Sequence, residues 1–239
     1  MSLQGQRIVV IGGTSGIGLA VAEGAAREGA EVVVASRRQE SVDAALKRLP
    51  DSAEGQLLDA TDEDAVRGFF ERIGAYDHLV YTAGESLLLE AVADADVARA
   101  RQFLDTRLWG AYTAVKHGAG SIRPGGSVVL TTGTAGRRPM PGSSAASALC
   151  GAMESLTRAL AVELAPLRVN VVSPGVVRTE LWRELPEADR EGLFRSSAES
   201  LPVGRVGEPA DVAEAYLYLM RAGYSTGAVV VVDGGGTLV

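Results

Sequence analysis

A chain of 239 residues with a formal charge of −7 is long enough for one α/β domain with a sizeable core, and its acidic balance gives no support for binding nucleic acid or an anionic membrane. The single cysteine, Cys150, excludes an internal disulfide and fits a reducing compartment, and no apolar run reaches transmembrane length. The first residues carry no cationic and apolar leader pattern, so the expectation is a cytoplasmic protein whose ligands are small molecules.

Short β-branched runs alternate along the chain with longer, Ala-rich amphipathic stretches. The sequence predicts a strand over Ile8–Ile11 and a helix over Gly18–Glu28, then a strand over Glu31–Ala35 and a helix over Ser41–Leu49 that Pro50 ends. A strand over Gly55–Leu58 precedes a helix over Asp62–Ile73, with Asp62 as its cap. A strand over His78–Thr82 is followed by one long helix over Val97–Ala119. Pro124-Gly125-Gly126 reads as a turn before a strand over Ser127–Thr132, and a helix follows over Ala145–Leu164. A strand over Arg168–Val172 stops at Ser173-Pro174-Gly175, and a helix over Pro209–Ala222 leads to a last strand over Ala228–Val232. The strands are apolar nearly throughout, as expected when both faces are covered. Regular βαβ alternation predicts a parallel sheet with helices on both faces and right-handed crossovers. No repeat, low-complexity tract or linker divides the chain, so residues 1–239 read as a single domain. The one long irregular segment, 174–207, reads as a substrate lid or, alternatively, a surface loop without a role.

The most informative stretch is Arg7-Ile-Val-Val-Ile-Gly-Gly-Thr-Ser-Gly-Ile-Gly18. A buried strand runs into a helix through a glycine-packed turn, where backbone amides and the positive helix end receive a phosphate. Gly12 permits the turn, Gly16 lets a pyrophosphate approach, and Gly18 lets the helix pack on the strand; Thr14, Ser15 and Ile17 complete the cradle. The second strand ends Ser36-Arg37-Arg38 with no carboxylate to accept from a ribose 2′-hydroxyl. Ser36 and Arg37 suit a 2′-phosphate instead, which favours NADP(H) over NAD; the competing reading makes Arg37 and Arg38 a solvated pair opening a helix. Asp59, at the end of the third strand and next to Ala60, either receives the adenine amino group or caps its own turn.

With these elements in place, the chain resembles the short-chain dehydrogenase/reductases from end to end. Ile11 to Gly18 matches the family's Thr-Gly-x-x-x-Gly-x-Gly apart from Ile11, and Tyr81-Thr82-Ala83-Gly84 stands where the family has Asn-Asn-Ala-Gly. Val169-Asn-Val-Val-Ser-Pro174-Gly175, with Val177 and Thr179 after it, matches the cofactor segment beyond the sixth strand. Leu201 to Pro209, Thr226-Gly227 and Val232-Asp-Gly-Gly235 match the C-terminal signature. The resemblance implies a three-layer, Rossmann-like doubly wound fold with a seven-stranded parallel sheet in the order 3-2-1-4-5-6-7. It also implies a homodimer or homotetramer built through the helices of Val97–Ala119 and Ala145–Leu164.

The catalytic positions depart from the family. Its members use a Tyr-x-x-x-Lys pair, a Ser after the fifth strand and an Asn on the helix after the fourth. Leu156-Thr-Arg-Ala-Leu-Ala-Val-Glu-Leu164 aligns without gaps, and counting from it puts Ala146 at the Tyr position, Cys150 at the Lys position and Gly133 at the Ser position. Arg107 falls at the Asn position. Losing a general acid costs about 10²–10⁴ in rate, while positioning of reactants contributes separately.

Three readings follow. In the first the chain is an NADP-dependent oxidoreductase of a carbonyl or hydroxyl compound with a rebuilt site. There Arg107 would stabilise a developing oxyanion or grip an anionic substrate, and Thr134 or Thr132 would supply a hydroxyl. In the second the nucleotide is scaffold for a cyclisation, isomerisation or addition. In the third there is no turnover, and the chain senses or carries the nucleotide. Arg137 and Arg138 either draw an anionic substrate or sit on a solvated loop. Cys150 is either a nucleophile or a small packing residue. Trp182 either covers the pocket or packs its loop on the core. His78 and His117 read as structural, and no metal-ligand cluster is expected.

Overall fold

The computed structural model describes residues 2–84 and 86–239. Seven parallel strands form one sheet in the order β3-β2-β1-β4-β5-β6-β7: β1 Arg7–Ile11, β2 Glu31–Ser36, β3 Glu54–Leu57, β4 Tyr76–Tyr81, β5 Ile122–Thr131, β6 Arg168–Pro174 and β7 Val229–Val232. Eight α-helices connect or flank them: α1 Gly16–Arg27, α2 Gln39–Leu46, α3 Glu63–Ile73, α4 Val97–Leu104, α5 Gly110–Gly118, α6 Ser144–Glu163, α7 Glu187–Ser200 and α8 Pro209–Arg221.

The continuous apolar runs have a direct structural cause. Alternate side chains of each central strand enter two separate cores, one on each face of the sheet. Val9, Ile11, Leu79, Val128 and Val169 pack with α3, α5 and α6 on one face. Ile8, Val10, Val80, Val129 and Val172 pack with α1 and α8 on the other. A strand solvated on one face would have read as alternating. Asp62 caps α3 as its sequence predicts, accepting from the Ala65 amide at 3.0 Å. The buried Arg168 guanidinium closes the other end of a helix: it donates to the Leu219 and Met220 carbonyls of α8 at 2.7 and 2.8 Å and to that of Ala222 just beyond it at 3.0 Å, so a cation meets the negative end of the helix dipole.

Three expectations need correction. The long helix over Val97–Ala119 is interrupted by a π-helical turn, Asp105–Trp109, between α4 and α5. A one-residue widening of this kind breaks the i→i−4 ladder; here the Tyr81 hydroxyl reaches in from β4 and donates to the Thr106 carbonyl. Gly110 makes room for that hydroxyl, since a Cβ there would stand 2.3 Å from it. The segment 174–207 is not irregular throughout. It holds a 3₁₀ turn, Glu180–Trp182, and the 14-residue helix α7. Helix α7 follows Pro186 and carries Glu187 and Asp189 in its first turn, both favourable at a helix start. Finally, β5 begins at Ile122 rather than Ser127. Its register with β4 shifts between Tyr76↔Ile122 and His78↔Ser127, so Pro124-Gly125-Gly126 is a bulge within the strand and not a turn before it.

Candidate functional site

Strand β1 lies between β2 and β4, so the chain reverses its direction of travel across the sheet there. In open α/β sheets the crevice at the carboxyl ends of strands at such a switch point takes the ligand. A cavity of about 570 Å³ occupies that place.

Its first half is built from backbone. Gly12 has φ +84°, and a Cβ on it would lie 2.5 Å from the Ala83 nitrogen of the neighbouring β4 loop. A Cβ on Gly18 would lie 2.3 Å from the Gly12 carbonyl oxygen, so both positions admit hydrogen only. The first intrahelical bond of α1 runs from Leu19 to the Ser15 carbonyl at 3.1 Å. The amides of Gly16, Ile17 and Gly18 therefore precede the helical ladder, at the positive end of a helix whose first turn holds no acidic residue. These residues line the cavity together with Gly12, Thr14 and Ser15. Their arrangement suits a pyrophosphate.

Ser36, Arg37 and Arg38 line the same cavity where β2 ends, and Ala60, Thr82, Ala83 and Gly84 continue it. Pro174, Gly175, Val177 and Thr179 close it from the end of β6 and the segment after it. The Thr179 side chain covers Gly16, 3.3 Å from where its Cβ would be. Asp59 is placed differently: its carboxylate accepts from the Thr61 amide and hydroxyl at 2.9 and 2.7 Å and does not line the cavity. Burial raises its pKa, but these two hydrogen bonds and the Arg37 charge outweigh it and leave it lowered. Of its two sequence readings, turn-capping is the one its contacts match.

The second half is built from side chains. Arg107, carried by the π-helical turn, lays its guanidinium against Gly84, where a Cβ would stand 2.5 Å from Cζ. The same guanidinium lies 5.0 Å from the centre of the Phe103 ring, a cation–π contact one helical turn away. Also in the lining are Gly133, Thr134, Ala146 and Cys150. Cys150 is buried, and its Sγ packs 3.3 Å from where a Gly133 Cβ would be. Tyr81 also lines the cavity; burial pushes its pKa well above the usual phenol range, against a smaller opposing effect of Arg107. Arg138 reaches the lining but is tied to the Gly236 carbonyl at 2.9 Å. Arg137 points to Glu154, 3.1 Å away, and does not line the cavity.

The segment 174–207 has a small core of its own. Trp182 packs edge-on against Phe194, with ring centroids 6.4 Å apart, beside Val206. Its indole nitrogen donates to the Val177 carbonyl at 2.9 Å. Trp182 therefore does both things its sequence allows: it lines the cavity and packs its own segment. Both histidines are in structural contacts. His78 bridges Ser127 and Gln6 inside the sheet at 2.8 and 2.9 Å, and His117 meets Glu63 at 2.9 Å.

Sequence reasoning missed the apolar walls: Leu87, Leu89, Phe103, Met140, Leu149, Val176 and Leu181. They come from five separate segments, so no local pattern marks them. Phe103 alone had a signal, its i,i+4 spacing from Arg107.

Fold and cavity define a dinucleotide-binding α/β protein. The comparisons make the class specific. The family profile described as enoyl-(acyl carrier protein) reductase matches residues 11–237. A short-chain dehydrogenase/reductase of Stachybotrys chlorohalonatus, ATR9, is 35% identical, with 99% of each chain covered. Among solved structures, a small-chain dehydrogenase in complex with NADPH is 37% identical with a TM-score of 0.86, covering 99% of this chain and 100% of that one. The MalC reductase/Diels-Alderase from Malbranchea aurantiaca is 31% identical with a TM-score of 0.91, covering 99% and 98%. The chain belongs to the short-chain dehydrogenase/reductase family. Among its described residues, no helix is long and apolar enough to cross a membrane.

Proposed function

We propose that the chain is an NADP(H)-dependent oxidoreductase of a carbonyl- or hydroxyl-bearing small molecule, working with an altered reacting wall. The observation that carries this reading is the pairing of the bare α1 N-terminus with Ser36, Arg37 and Arg38 in one cavity. The first suits a pyrophosphate, and the second suits a 2′-phosphate. A relative of similar sequence that holds NADPH supports it.

In this reading Gly12, Thr14, Ser15, Gly16, Ile17 and Gly18 hold the pyrophosphate. Ser36, Arg37 and Arg38 hold the 2′-phosphate, Ala60 the adenine edge, and Thr82, Ala83, Gly84, Pro174, Gly175, Val177 and Thr179 the nicotinamide half. Bound NADPH supplies a hydride. The protein's own part in the reaction is electrostatic: Arg107 faces negative charge that develops on a substrate oxygen, with Thr134 as a hydroxyl donor. Gly133, Ala146 and Cys150 stand at the family's Ser, Tyr and Lys positions, so the usual acid is replaced and not merely displaced. We assign 174–207 as the lid of a single 239-residue domain acting in the cytoplasm, as a homodimer or homotetramer.

A second reading is that the nucleotide serves as scaffold for a cyclisation. It draws on the absent acid and on a relative described as a reductase/Diels-Alderase. One experiment addresses the cofactor: titration of NADPH and NADH by cofactor fluorescence, with wild type and Arg37→Ala. Loss of a charge-assisted hydrogen bond of about 1.5–3 kcal/mol lowers the NADPH preference by roughly 10- to 100-fold, toward the lower figure because Arg37 is exposed. An unchanged NADPH-to-NADH ratio in Arg37→Ala would sink the assignment. NADPH binding without consumption across a broad panel of carbonyl compounds and conjugated alkenes would favour the scaffold reading.

A further inference from the structure

Ser86 lines the cavity, and its Oγ is buried with no hydrogen-bond partner among the described residues. Neighbouring hydroxyls of the lining are held. Thr82 Oγ1 donates to the Ile11 carbonyl at 3.2 Å, Thr131 Oγ1 to the Tyr81 carbonyl at 2.6 Å and Thr132 Oγ1 to the Cys150 carbonyl at 3.1 Å. Ser143 Oγ donates to the Met140 carbonyl at 2.7 Å, and the Tyr81 hydroxyl to the Thr106 carbonyl. Folded proteins pair nearly all their buried polar groups, and one left unpaired costs folding free energy. Ser173 Oγ is also buried without a partner, but Ser173 does not line the cavity. Ser86 is therefore the buried hydroxyl whose missing bond a ligand can make.

The chain around Ser86 is held in place. Gly84, two residues before it, lies against the Arg107 guanidinium, where a Cβ would stand 2.5 Å from Cζ. After it, the Leu87 amide donates to the Leu181 carbonyl at 3.4 Å, and the Glu90 amide to the Gly142 carbonyl at 2.9 Å. Two residues span at most about 7 Å, so Ser86 stands beside the Arg107 corner and next to the 3₁₀ turn that carries Trp182. Its backbone is fixed, and its hydroxyl is not. Serine has one side-chain torsion with three staggered wells. With no hydrogen bond to break, Oγ turns toward an incoming atom at little cost.

Arg107 only donates hydrogen bonds, whereas a serine hydroxyl both donates and accepts. Ser86 thus suits a carbonyl oxygen as donor and an alcohol as acceptor, the two forms between which a carbonyl/alcohol oxidoreductase moves its substrate. Leu87, Phe103, Leu149 and Trp182 in the same lining are largely apolar, and the Trp182 indole nitrogen is already given to the Val177 carbonyl. Shielded from water, a single hydrogen bond is stronger, and a few such groups in an apolar pocket fix a ligand's orientation.

We propose that Ser86 holds the substrate's oxygen beside Arg107, supplying from the loop after β4 the hydroxyl that Gly133 does not offer after β5. It selects an alcohol or ketone oxygen on an otherwise apolar frame. This rests on the oxidoreductase reading above.

The test compares wild type with Ser86→Ala in two measurements. The first is thermal unfolding of the free protein. Removing an unpaired buried hydroxyl leaves the midpoint unchanged or raises it. A midpoint lowered by more than about 4 °C, the size of a lost internal hydrogen bond, would show that Ser86 is bonded within the protein and would overturn the proposal. The second is titration of 1-tetralone, 1-tetralol and tetralin, followed by ligand NMR signals, with and without NADP⁺. The three probes share one carbon frame and differ in the oxygen. Wild type should bind the ketone and the alcohol at least about fivefold more tightly than the hydrocarbon. Ser86→Ala should lose roughly 3- to 10-fold in affinity for the two oxygenated probes and none for tetralin. Equal losses for all three probes, which a merely structural role gives, overturn the proposal. So do equal affinities in wild type, unchanged discrimination in Ser86→Ala, or no binding of any probe. Failure of the cofactor reading is separately visible as absence of NADP⁺ binding, while the probes on cofactor-free protein still judge Ser86.

Discussion

His78 makes the fold acid-sensitive between pH 6.5 and about 4. Its side chain is 1% exposed, between Ser127 on β5 and Gln6 before β1. Burial, with the Arg168 charge adding to it, pulls its pKa from 6.5 down to about 4. The sign follows from linkage: above 6.5 both folded and unfolded chains carry neutral imidazole, and the native state keeps its full stability. As pH falls through 6.5 the unfolded chain gains a proton that the folded chain refuses until about 4, so stability falls across that window. At 1.36 kcal/mol per pH interval of one, the loss totals about 3 kcal/mol, a large part of a typical 5–15 kcal/mol. Glu63 and Asp211, both held down to about 2 by hydrogen bonds and ion pairing, add their own loss of stability as pH falls from their ordinary values of 4.5 and 3.8 toward 2, at and below the acid end of this window. Urea unfolding at pH 7.5, 6.5, 5.5 and 4.5 reads the effect. His78→Asn should be less stable at pH 7.5, having lost one of two buried contacts, and should show a markedly flatter pH dependence. Parallel curves for the two proteins would refute the reasoning.

Two further substitutions probe the scaffold and the lid. Gly12→Ala places a methyl 2.5 Å from a backbone nitrogen at φ +84°; overpacking and the left-handed backbone together cost about 2–5 kcal/mol, and a thermal midpoint equal to wild type would contradict the close approach. Trp182→Ala removes the centre of the lid's own core and weakens local closure by about 3 kcal/mol. Limited proteolysis between residues 178 and 200 should accelerate, and an unchanged cleavage rate would show that the lid is held by other contacts.

What could be read in the sequence divides along a physical line. The β1–turn–α1 unit, the Asp62 cap and the arginines ending β2 were legible because each depends on neighbours within a few residues. The π-helical turn was not, since its cause lies on another strand: Tyr81 donates to Thr106 from β4. Helix α7 escaped for a different reason. Only Phe194 among its residues is buried, so it lacks the apolar stripe by which helices are recognised. Asp59 was ambiguous because a carboxylate at a strand end suits a ligand and an Asx turn equally, and only the position of Thr61 decides.

The two halves of the cavity differ in what change they tolerate. The phosphate half is made of amides, helix polarity and glycines that pack against backbone at Ala83 and Gly12. Almost any side chain added there would collide with main chain, so its chemistry is bound to the fold itself. The reacting half is made of side-chain tips: Arg107 on a widened turn, and Gly133, Ala146 and Cys150 facing open volume. Gly133 shows the difference directly, since a Cβ there would meet the Cys150 sulfur at 3.3 Å and main chain no nearer than the Pro174 carbonyl oxygen at 4.0 Å. Substitution in that wall leaves the sheet, the turn and the helix undisturbed. A chain of this family can therefore keep the backbone-built half of its cavity intact while the side chains of the other half change.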